Sequence, residues 1–287
     1  MISSTVLESG IKLVDFIHQK LQGKHSLRKI KRAIENNHVC VNGAVERFYS
    51  FQLSKGDLVE FDDSVLEKSE SEKPVPERDA ILFEDDHLLI YNKPSGMNSD
   101  EFGLGKFFPS FPLIHRLDKE TTGCIMFAKY PKVKNRMIEL FKGKKISKHY
   151  LAVVDGVPNK REGVEESFIG QISSNPGSIK WGNVSPKQGQ HAKTQWMIEK
   201  RGKEAALLKM QPITGRTHQL RVHAAQMGHP ILGDFRYCRH FKCSYQPSRT
   251  LLHAYTLHFP HPILDAYLKI KAPIPADMKQ AIRQTCR

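Results

Sequence analysis

One stretch of the sequence differs in composition from both of its flanks, and it constrains the fold more than any other feature. Residues 62–79 carry two prolines, ten charged residues and few large apolar side chains. This composition is typical of a linker, because such a segment can bury little apolar surface. We therefore predict a small domain at residues 1–61 and a larger one at residues 80–287, rather than one continuous core.

Positive charge is distributed unevenly over these parts. The chain has 287 residues, with 44 Lys and Arg against 30 Asp and Glu, so its formal net charge is +14. Residues 1–61 contribute +3, the linker −4 and residues 80–287 the remaining +15. A protein this basic usually binds a polyanion, so we expect nucleic acid as the partner. Because most of the positive charge lies in the larger domain, we expect that domain to make most of the contacts.

Other simple features exclude several classes of protein. No apolar run approaches the roughly 20 residues that span a bilayer, and residues 1–10 lack the basic start and apolar run of a secretory signal. The five cysteines are scattered and odd in number, which indicates free thiols in a reducing compartment. We therefore expect a cytoplasmic protein that is not bound to a membrane.

Two amphipathic helices and a short hairpin are predicted in residues 1–61. Apolar side chains recur at helical spacing from Leu13 to Leu21, and again after Ser26, which is a good N-cap. Asn42-Gly43 marks a tight turn between short strands. The second helix leaves four cations on the rest of its surface: Arg28, Lys29, Lys31 and Arg32. Taken alone, such charges are more often solvated than bound to phosphate.

Residues 80–287 are predicted to form an α+β domain around a largely antiparallel mixed sheet that is flanked by helices and loops. The segments that favour strands are 81–84, 87–91, 123–128, 150–155, 192–199, 205–212 and 251–259. One helix is predicted at residues 132–142. Another is predicted after Gly215, and it ends at Gly228.

Two polar segments carry candidate chemistry. The first surrounds Asp118, which has Arg116 and Lys119 close in sequence, and nearby cations keep a carboxylate ionised. By composition alone this segment could also be a charged surface turn. In the second, His218 and Arg221 share a helix face, so Arg221 could pair with a carboxylate from elsewhere.

Metal and cofactor chemistry are not supported by the motifs. His218 and His223 are five residues apart, off the spacing that places two zinc ligands on one helix face. Cys238 and Cys243 are also off the usual ligand spacing, and no second pair completes four ligands. The sequence has no phosphate-binding Gly-rich loop and no dinucleotide fingerprint. We therefore expect no metal and no cofactor.

Several longer motifs together resemble the RluA-type pseudouridine synthases, in the order that this family shows. The similar segments are Lys93-Pro94-x-Gly96, His115-Arg116-Leu117-Asp118-x-x-Thr121-x-Gly123, Lys148-x-Tyr150-Leu151-Ala152, and Gly215-Arg216-x-His218-Gln219-Leu220-Arg221-x-His223 with the Gly228 to Asp234 stretch that follows. They span about residues 81–260. Residues 10–61 resemble an S4-type RNA-binding domain, which would make the four cations of its helix RNA-binding residues.

The resemblance implies a synthase that isomerises uridine in RNA without a cofactor. Asp118 would be the catalytic carboxylate, acting either as a nucleophile or as a base, with Arg221 as its cationic partner and Tyr150 stacked on the target base. The residues expected to contact the RNA in the catalytic domain are Arg116, His115, Thr121, Arg216 and His218. The RNA would be ribosomal rather than transfer RNA, and the protein a monomer. A non-catalytic RNA-binding or ribosome-assembly factor of the same fold and a metal-dependent hydrolase are the alternatives.

Overall fold

A computed structural model describes residues 2–35, 38–67, 78–173 and 179–286. The described residues divide into two compact units. The first comprises those up to residue 67 together with Phe235–His240, and the second comprises the others. No helix in the described part of the chain is long and apolar enough to cross a membrane.

The first unit combines helices with a small antiparallel sheet. Its elements are β1 (Ile2–Thr5), α1 (Leu13–Lys20), α2 (Leu27–Glu35), β2 (Val39–Val41), β3 (Ala44–Val45), β4 (Leu58–Phe61) and α3 (Asp63–Glu67). The strand order is β1-β4-β2-β3. Both predicted helices are confirmed, and their predicted apolar faces are buried except at Leu27, which is exposed in the first turn of α2.

The first residues of the segment predicted as a linker are ordered rather than extended. Asp63–Glu67 form helix α3, and Leu66 is buried in the core of the first unit. Asp62 accepts hydrogen bonds from the backbone and the hydroxyl of Ser64, which begins the helix. The burial of Leu66 thus packs this helix against the core, although the residues around Leu66 are mostly polar. Residues 68–77 of the predicted linker lie outside the described residues.

The second unit contains most of the strands. Its elements are β5 (Ile81–Glu84), β6 (Leu88–Lys93), β7 (Thr122–Ala128), α4 (Pro131–Lys142), β8 (Ser147–Asp155), β9 (Glu162–Ser173), β10 (Lys180–Asn183), β11 (Gln190–Arg201), β12 (Ala205–Pro212), α5 (Gln219–Gln226), β13 (Leu252–Pro260), β14 (Tyr267–Lys271) and α6 (Ala276–Thr285). Short 3-10 turns occur at Arg78–Ala80 and Leu104–Phe107.

One mixed sheet organises these elements. Among the described residues the strand order is β10-β9-β11-β12-β8-β13-β7-β6-β5, and β14 pairs with β13 outside this path. Every pairing is antiparallel except that of β7 with β13. The predicted α+β class and the largely antiparallel sheet are therefore confirmed.

The two faces of this sheet carry separate cores. Side chains of β7 alternate between them, since Ile125 and Phe127 belong to one core and Cys124 and Met126 to the other. The first core also contains residues of α5 and α6, and the second contains residues of α4. Helix α4 thus packs on the face opposite α5, the helix that carries Arg221.

Candidate active site

The loop that carries Asp118 is fixed on both sides of that residue. Leu117 is buried in the core, and its backbone exchanges two hydrogen bonds with the hydroxyl of Ser99, at 2.9 and 3.2 Å. Thr121 N donates to the carbonyl of Asp118 at 3.0 Å and closes a turn. Strand β7 begins directly after this turn, so the loop is held between the sheet and the buried Leu117. The Asp118 side chain remains 29% exposed.

The loop is also held at Glu120. Its carboxylate accepts hydrogen bonds from the backbone N and the hydroxyl of Thr250, at 2.9 and 2.6 Å. Next to it, Arg249 donates to the carbonyl of Glu120 and pairs with Asp277 at 2.6 Å. The first turn of α6 is thereby connected to the loop that presents Asp118.

Arg221 joins two carboxylates through different edges of its guanidinium group. Nε and Nη2 each donate to the carboxylate of Asp234 at 2.7 Å, and Nη1 donates to Oδ2 of Asp118 at 3.1 Å. Asp234 is fully buried and Arg221 is 8% exposed. The fork geometry of arginine suits such bidentate pairing. Arg221 is therefore oriented by a buried partner while it holds the accessible carboxylate of Asp118.

Helix α5 begins with an unusual backbone geometry at His218. This residue has φ +56°, in the left-handed region, and its Nε2 lies 3.9 Å from Oδ2 of Asp118. The buried amide of Gln219 stabilises the turn: its oxygen accepts from Thr214 and from Arg216 N, and its nitrogen donates to Lys193 O and Thr194. Among the described residues no side chain caps the first turn of α5; the Gln219 amide instead connects the preceding loop to β11.

One turn further along α5, His223 is fully buried. Its two ring nitrogens lie 2.8 Å from the hydroxyl of Thr194 and 3.0 Å from that of Ser167. Burial lowers the pKa of His223 to about 4, so the ring is neutral at physiological pH. This histidine ties α5 to β9 and β11 and is not available as a metal ligand.

Tyr150 lies on β8 and is 8% exposed. Burial raises the pKa of its hydroxyl, and the negative charge of Asp118 raises it further. The phenol therefore keeps its proton at neutral pH. The charge of Asp118 thus acts on the phenol of Tyr150.

Lys93 is a buried lysine beside the same loop, and it was not among the site residues predicted from the sequence. It is fully buried, and its Nζ donates to the carbonyls of Pro94, Met97 and Lys119 at 2.8 to 3.0 Å. Burial lowers the pKa of Lys93 to about 7, although the charge of Asp118 acts in the opposite direction. The residue fixes the backbone immediately after Asp118.

The predicted RNA contacts of the catalytic domain fall into two groups, those with exposed side chains and those whose side chains are held within the protein. Arg116 is exposed beside Asp118. Thr121 is buried in the turn. His115 Nε2 accepts from Met126 N at 3.2 Å, and burial lowers the pKa of His115 to about 3, so this ring binds the sheet. Arg216 is exposed, but its guanidinium donates to His191 O and to the side chain of Gln190.

The four cations of the first unit lie on α2. Arg28 is exposed, and Lys29, Lys31 and Arg32 are partly exposed. Lys31 Nζ also lies 4.8 Å from the centre of the Tyr49 ring. The spacing therefore leaves these side chains off the buried face of α2, as predicted. They belong to the first unit and are no part of the Asp118 cluster.

The assembled cluster is suited to acid–base or nucleophilic chemistry by one carboxylate. Asp118 is accessible, is paired with a cation and lies near a neutral tyrosine. Asp234 is buried, and both of its carboxylate oxygens accept hydrogen bonds from Arg221. Within the described ranges, no group of three or more His, Cys, Asp or Glu side chains could hold a metal ion. Asp234 stood in the motif as Gly233-Asp234, but nothing in the sequence indicated which cation it would bind.

Comparison with known proteins identifies the family. The family model described as RNA pseudouridylate synthase matches residues 87–226, which include Asp118, Tyr150 and Arg221. Ribosomal large subunit pseudouridine synthase C of Yersinia pestis is 31% identical over 307 aligned residues, covering 98% of this chain and 94% of that protein. An uncharacterised RNA pseudouridine synthase of Zymomonas mobilis is 35% identical, covering 68% of this chain and 93% of that protein.

A solved structure leads to the same family. Human RNA Pseudouridylate Synthase Domain Containing 4 superposes with a TM-score of 0.61 at 27% identity, covering 72% of this chain and 92% of that one. The similarity in sequence extends over nearly the whole of both chains in the Yersinia comparison, and the similarity in structure extends over nearly three quarters of this chain. This chain therefore belongs to the RNA pseudouridine synthase family and is an isomerase that converts uridine in RNA to pseudouridine.

Proposed function

We propose that this protein modifies uridines of large-subunit ribosomal RNA, with Asp118 as its catalytic residue. The observation that carries the catalytic assignment is the Arg221 guanidinium, which a buried Asp234 orients so that it donates to Asp118. The ribosomal substrate rests on relatives that cover more than nine tenths of their own length and are named for the large ribosomal subunit. Transfer RNA is the competing substrate.

The reaction breaks the bond between the sugar and a base nitrogen, rotates the base and joins it to the sugar through carbon. That carbon loses a proton and the released nitrogen gains one, so no atoms are added or lost. Asp118 serves either as the nucleophile or as the base, and both roles require its ionised form. Arg221 favours that form through its charge. Tyr150 stacks on the flipped base, and Arg116 holds the RNA open where the base has left the stack.

The rest of the proposal concerns the N-terminal part of the chain. Residues 1–61 form an S4-like domain whose α2 cations, Arg28, Lys29, Lys31 and Arg32, contact RNA phosphates. Residues 62–79, which begin with the helix α3 on the core of that domain, connect it to the catalytic domain at 80–287. The protein acts as a monomer in the cytoplasm, where its five free cysteines remain reduced.

The substrate is tested by mapping pseudouridine in ribosomal and transfer RNA from cells with and without this protein. We expect at least one position of large-subunit ribosomal RNA to lose its pseudouridine when the protein is absent. Restoring the wild-type protein should restore that position, whereas Asp118→Asn should not, because the neutral amide is nearly isosteric but is neither a nucleophile nor a base. Loss confined to transfer RNA would show that the ribosomal assignment is wrong.

A further inference from the structure

Half of the net positive charge of this chain lies in twenty consecutive residues of the second unit. Residues 129–148 contain eight Lys and Arg but only one acidic residue, Glu139, and they comprise α4 and the turn that leads into β8. Two of these cations are neutralised locally. Lys129 pairs with Glu84 at 2.7 Å, and Lys142 pairs with Glu139 at 2.9 Å. The unbalanced charge therefore lies elsewhere on this segment.

Three of the remaining cations belong to α4 itself. Lys132 and Arg136 are exposed one helical turn apart, and Lys134 is partly exposed. In the part of the chain that the structure describes, none of the three pairs with a carboxylate. Lys132 and Arg136 also line a surface groove, whose other wall includes Ile263. A helix face with this much uncompensated charge is suited to an anionic partner.

Helix stability does not explain these charges. Lys132 lies in the first turn of α4 with Lys134 directly behind it, and this turn contains no acidic residue. The positive end of the helix dipole is located there, so these cations are unfavourable for the helix, whereas an acidic residue would be stabilising. Lys144 and Lys145, after the C-terminal end of the helix, are favoured by the same dipole. The cations at the N-terminal end therefore require another explanation.

An exposed aromatic residue accompanies them. Tyr130 immediately precedes α4 and is 56% exposed. Cations interleaved with accessible aromatic rings are typical of surfaces that bind nucleic acid, because the cations neutralise phosphates and the rings stack on bases. We propose that Tyr130, Lys132, Lys134 and Arg136 form a second RNA-binding surface of this enzyme, the α4 surface, which binds the phosphate backbone of the substrate RNA.

The position of α4 defines what this surface contacts. Helix α4 packs on the sheet face opposite α5, whereas Asp118 is paired with Arg221 of α5. The α4 surface therefore binds parts of the RNA away from the target nucleotide. This inference rests on the proposed function, because a large structured RNA extends far enough to reach both places. The contact contributes to affinity and orientation but not to the chemical step.

The test compares two double variants that remove the same charge. Lys132→Ala with Arg136→Ala removes a Lys–Arg pair, four residues apart, from the exposed face of α4. Lys279→Ala with Arg283→Ala removes an exposed pair with the same residues and spacing from α6, whose apolar residues belong to the other sheet face. Alanine is the best helix former, so both variants should fold, as thermal unfolding will verify.

The measurements are the affinity for in vitro transcribed large-subunit ribosomal RNA against salt concentration, and the rate at saturating RNA. For the α4 pair we expect weaker binding, a salt-dependence slope reduced by about 2 and an unchanged saturated rate. For the α6 pair we expect wild-type binding. Equal losses in both variants would indicate a general effect of net charge, and wild-type binding by the α4 pair would equally overturn the proposal.

Failure of the proposed function gives a different result. If wild-type protein binds but does not modify ribosomal RNA, the substrate assignment is wrong, and the same two variants are compared for binding to transfer RNA. Because the readout is affinity, it does not depend on turnover. Weaker binding of either RNA by the α4 variant than by the α6 variant supports the α4 surface. Equal affinities of the two variants for both RNAs would show that the proposal is wrong.

Discussion

At the scale of single residues, the site depends on one guanidinium group that serves two unequal carboxylates. Asp234 is fully buried and receives two hydrogen bonds from Arg221, whereas Asp118 is 29% exposed and receives one. A buried carboxylate needs its cation more than an accessible one does, because it has no water to replace it. The strong pair therefore orients Arg221, and the weaker contact leaves Asp118 able to react.

The first prediction concerns Arg221. Arg221→Ala should lower the free energy of unfolding by about 3–5 kcal/mol, because it leaves Asp234 buried and uncompensated. Arg221→Lys keeps the charge but cannot donate to both carboxylates through one planar group, so it should fold yet lose much of the saturated rate. Steady-state kinetics at saturating RNA measure this loss, with Arg201→Lys, an exposed arginine at the end of β11, as the control. Weaker, less salt-dependent binding with a normal saturated rate would mean that Arg221 binds only phosphate.

The second prediction concerns Lys93 and pH. The pKa of Lys93 in the folded protein is about 7, below its ordinary value of 10.5, because of burial. Between these two values the unfolded chain binds the proton more readily, so unfolding takes up a proton and acidification favours it. The stability that wild type has relative to Lys93→Met should therefore increase as pH rises from about 7 towards 10.5.

Urea unfolding of both proteins at pH 7 and pH 9 measures this difference. The comparison isolates Lys93, because other titrating groups act equally in both chains. A difference in stability that stays constant between the two pH values would contradict the prediction. It would indicate that the three carbonyls and Asp118 keep the lysine charged in spite of its burial.

The residues of this site could be predicted from the sequence only in part. Asp118, Tyr150 and Arg221 were identified because they stand in long motifs. The partner of Arg221 was not identified, because Asp234 lies thirteen residues away and only the turn after α5 brings it back. Lys93, at the end of β6, reaches a carbonyl twenty-six residues away in the loop before β7. Such pairings are decided by tertiary packing, which spacing along the chain does not encode.

At the scale of elements, the position of α5 determines where Arg221 and His218 lie. Gln219 and His223 connect this helix to β11 and β9 through hydrogen bonds with hydroxyl and carbonyl groups of those strands. Buried polar groups without partners are costly, so these bonds fix the position of the helix rather than merely permitting it. The left-handed residue at His218 is tolerated because the network on either side holds the turn.

The third prediction tests this anchoring. Gln219→Leu preserves volume but removes the hydrogen bonds that the Gln219 amide makes with the hydroxyl of Thr194, the carbonyl of Lys193 and the backbone N of Arg216. We expect a loss of about 1–3 kcal/mol in the free energy of unfolding and a reduced saturated rate, because the start of α5 shifts relative to Asp118. Gln226→Leu, an exposed glutamine at the other end of the same helix, is the control. An unchanged saturated rate in the folded Gln219→Leu variant would show that these hydrogen bonds stabilise the fold but are not needed for catalysis.

Elements with strong apolar patterns were predicted well, and a charged, partly exposed strand was not. Strands β5 and β12 have the predicted bounds, and β7 and β13 lie within one residue of theirs. Strand β9 was missed, because its twelve residues include three glutamates and its first half is largely exposed. It is ordered by pairing with β10 and β11. Long-range pairing thus supplies what local propensity does not.

At the scale of the whole molecule, the comparisons differ in how much of the chain they include. The Yersinia relative matches 98% of this chain, whereas the Zymomonas relative matches 68% of this chain but 93% of its own length. The human structure likewise covers 72% of this chain and 92% of its own. That share is about the fraction that residues 80–287 make up. These two matches thus extend over about as much of this chain as the predicted catalytic domain occupies.

The fourth prediction follows from this difference. Deleting residues 1–61 should leave residues 80–287 folded, because the core that the first unit builds around Leu13, Ile30 and Val59 is separate from the two cores of the sheet. Helix α3 and Phe235–His240 group with the first unit and will lose their packing, so some loss of stability is expected. A single cooperative transition should persist in thermal unfolding. Its disappearance would show that the two units fold only together.

The truncated protein should also bind RNA more weakly while keeping its chemistry. The deletion removes Arg28, Lys29, Lys31 and Arg32, so we expect reduced affinity for ribosomal RNA and a smaller dependence of binding on salt. At saturating RNA the rate should stay within a few-fold of wild type, because Asp118, Tyr150 and Arg221 all lie in the remaining part. Replacing the four cations with alanine in the full-length chain is the matched control. If that variant binds as wild type while the truncation does not, the first unit contributes through surfaces other than α2.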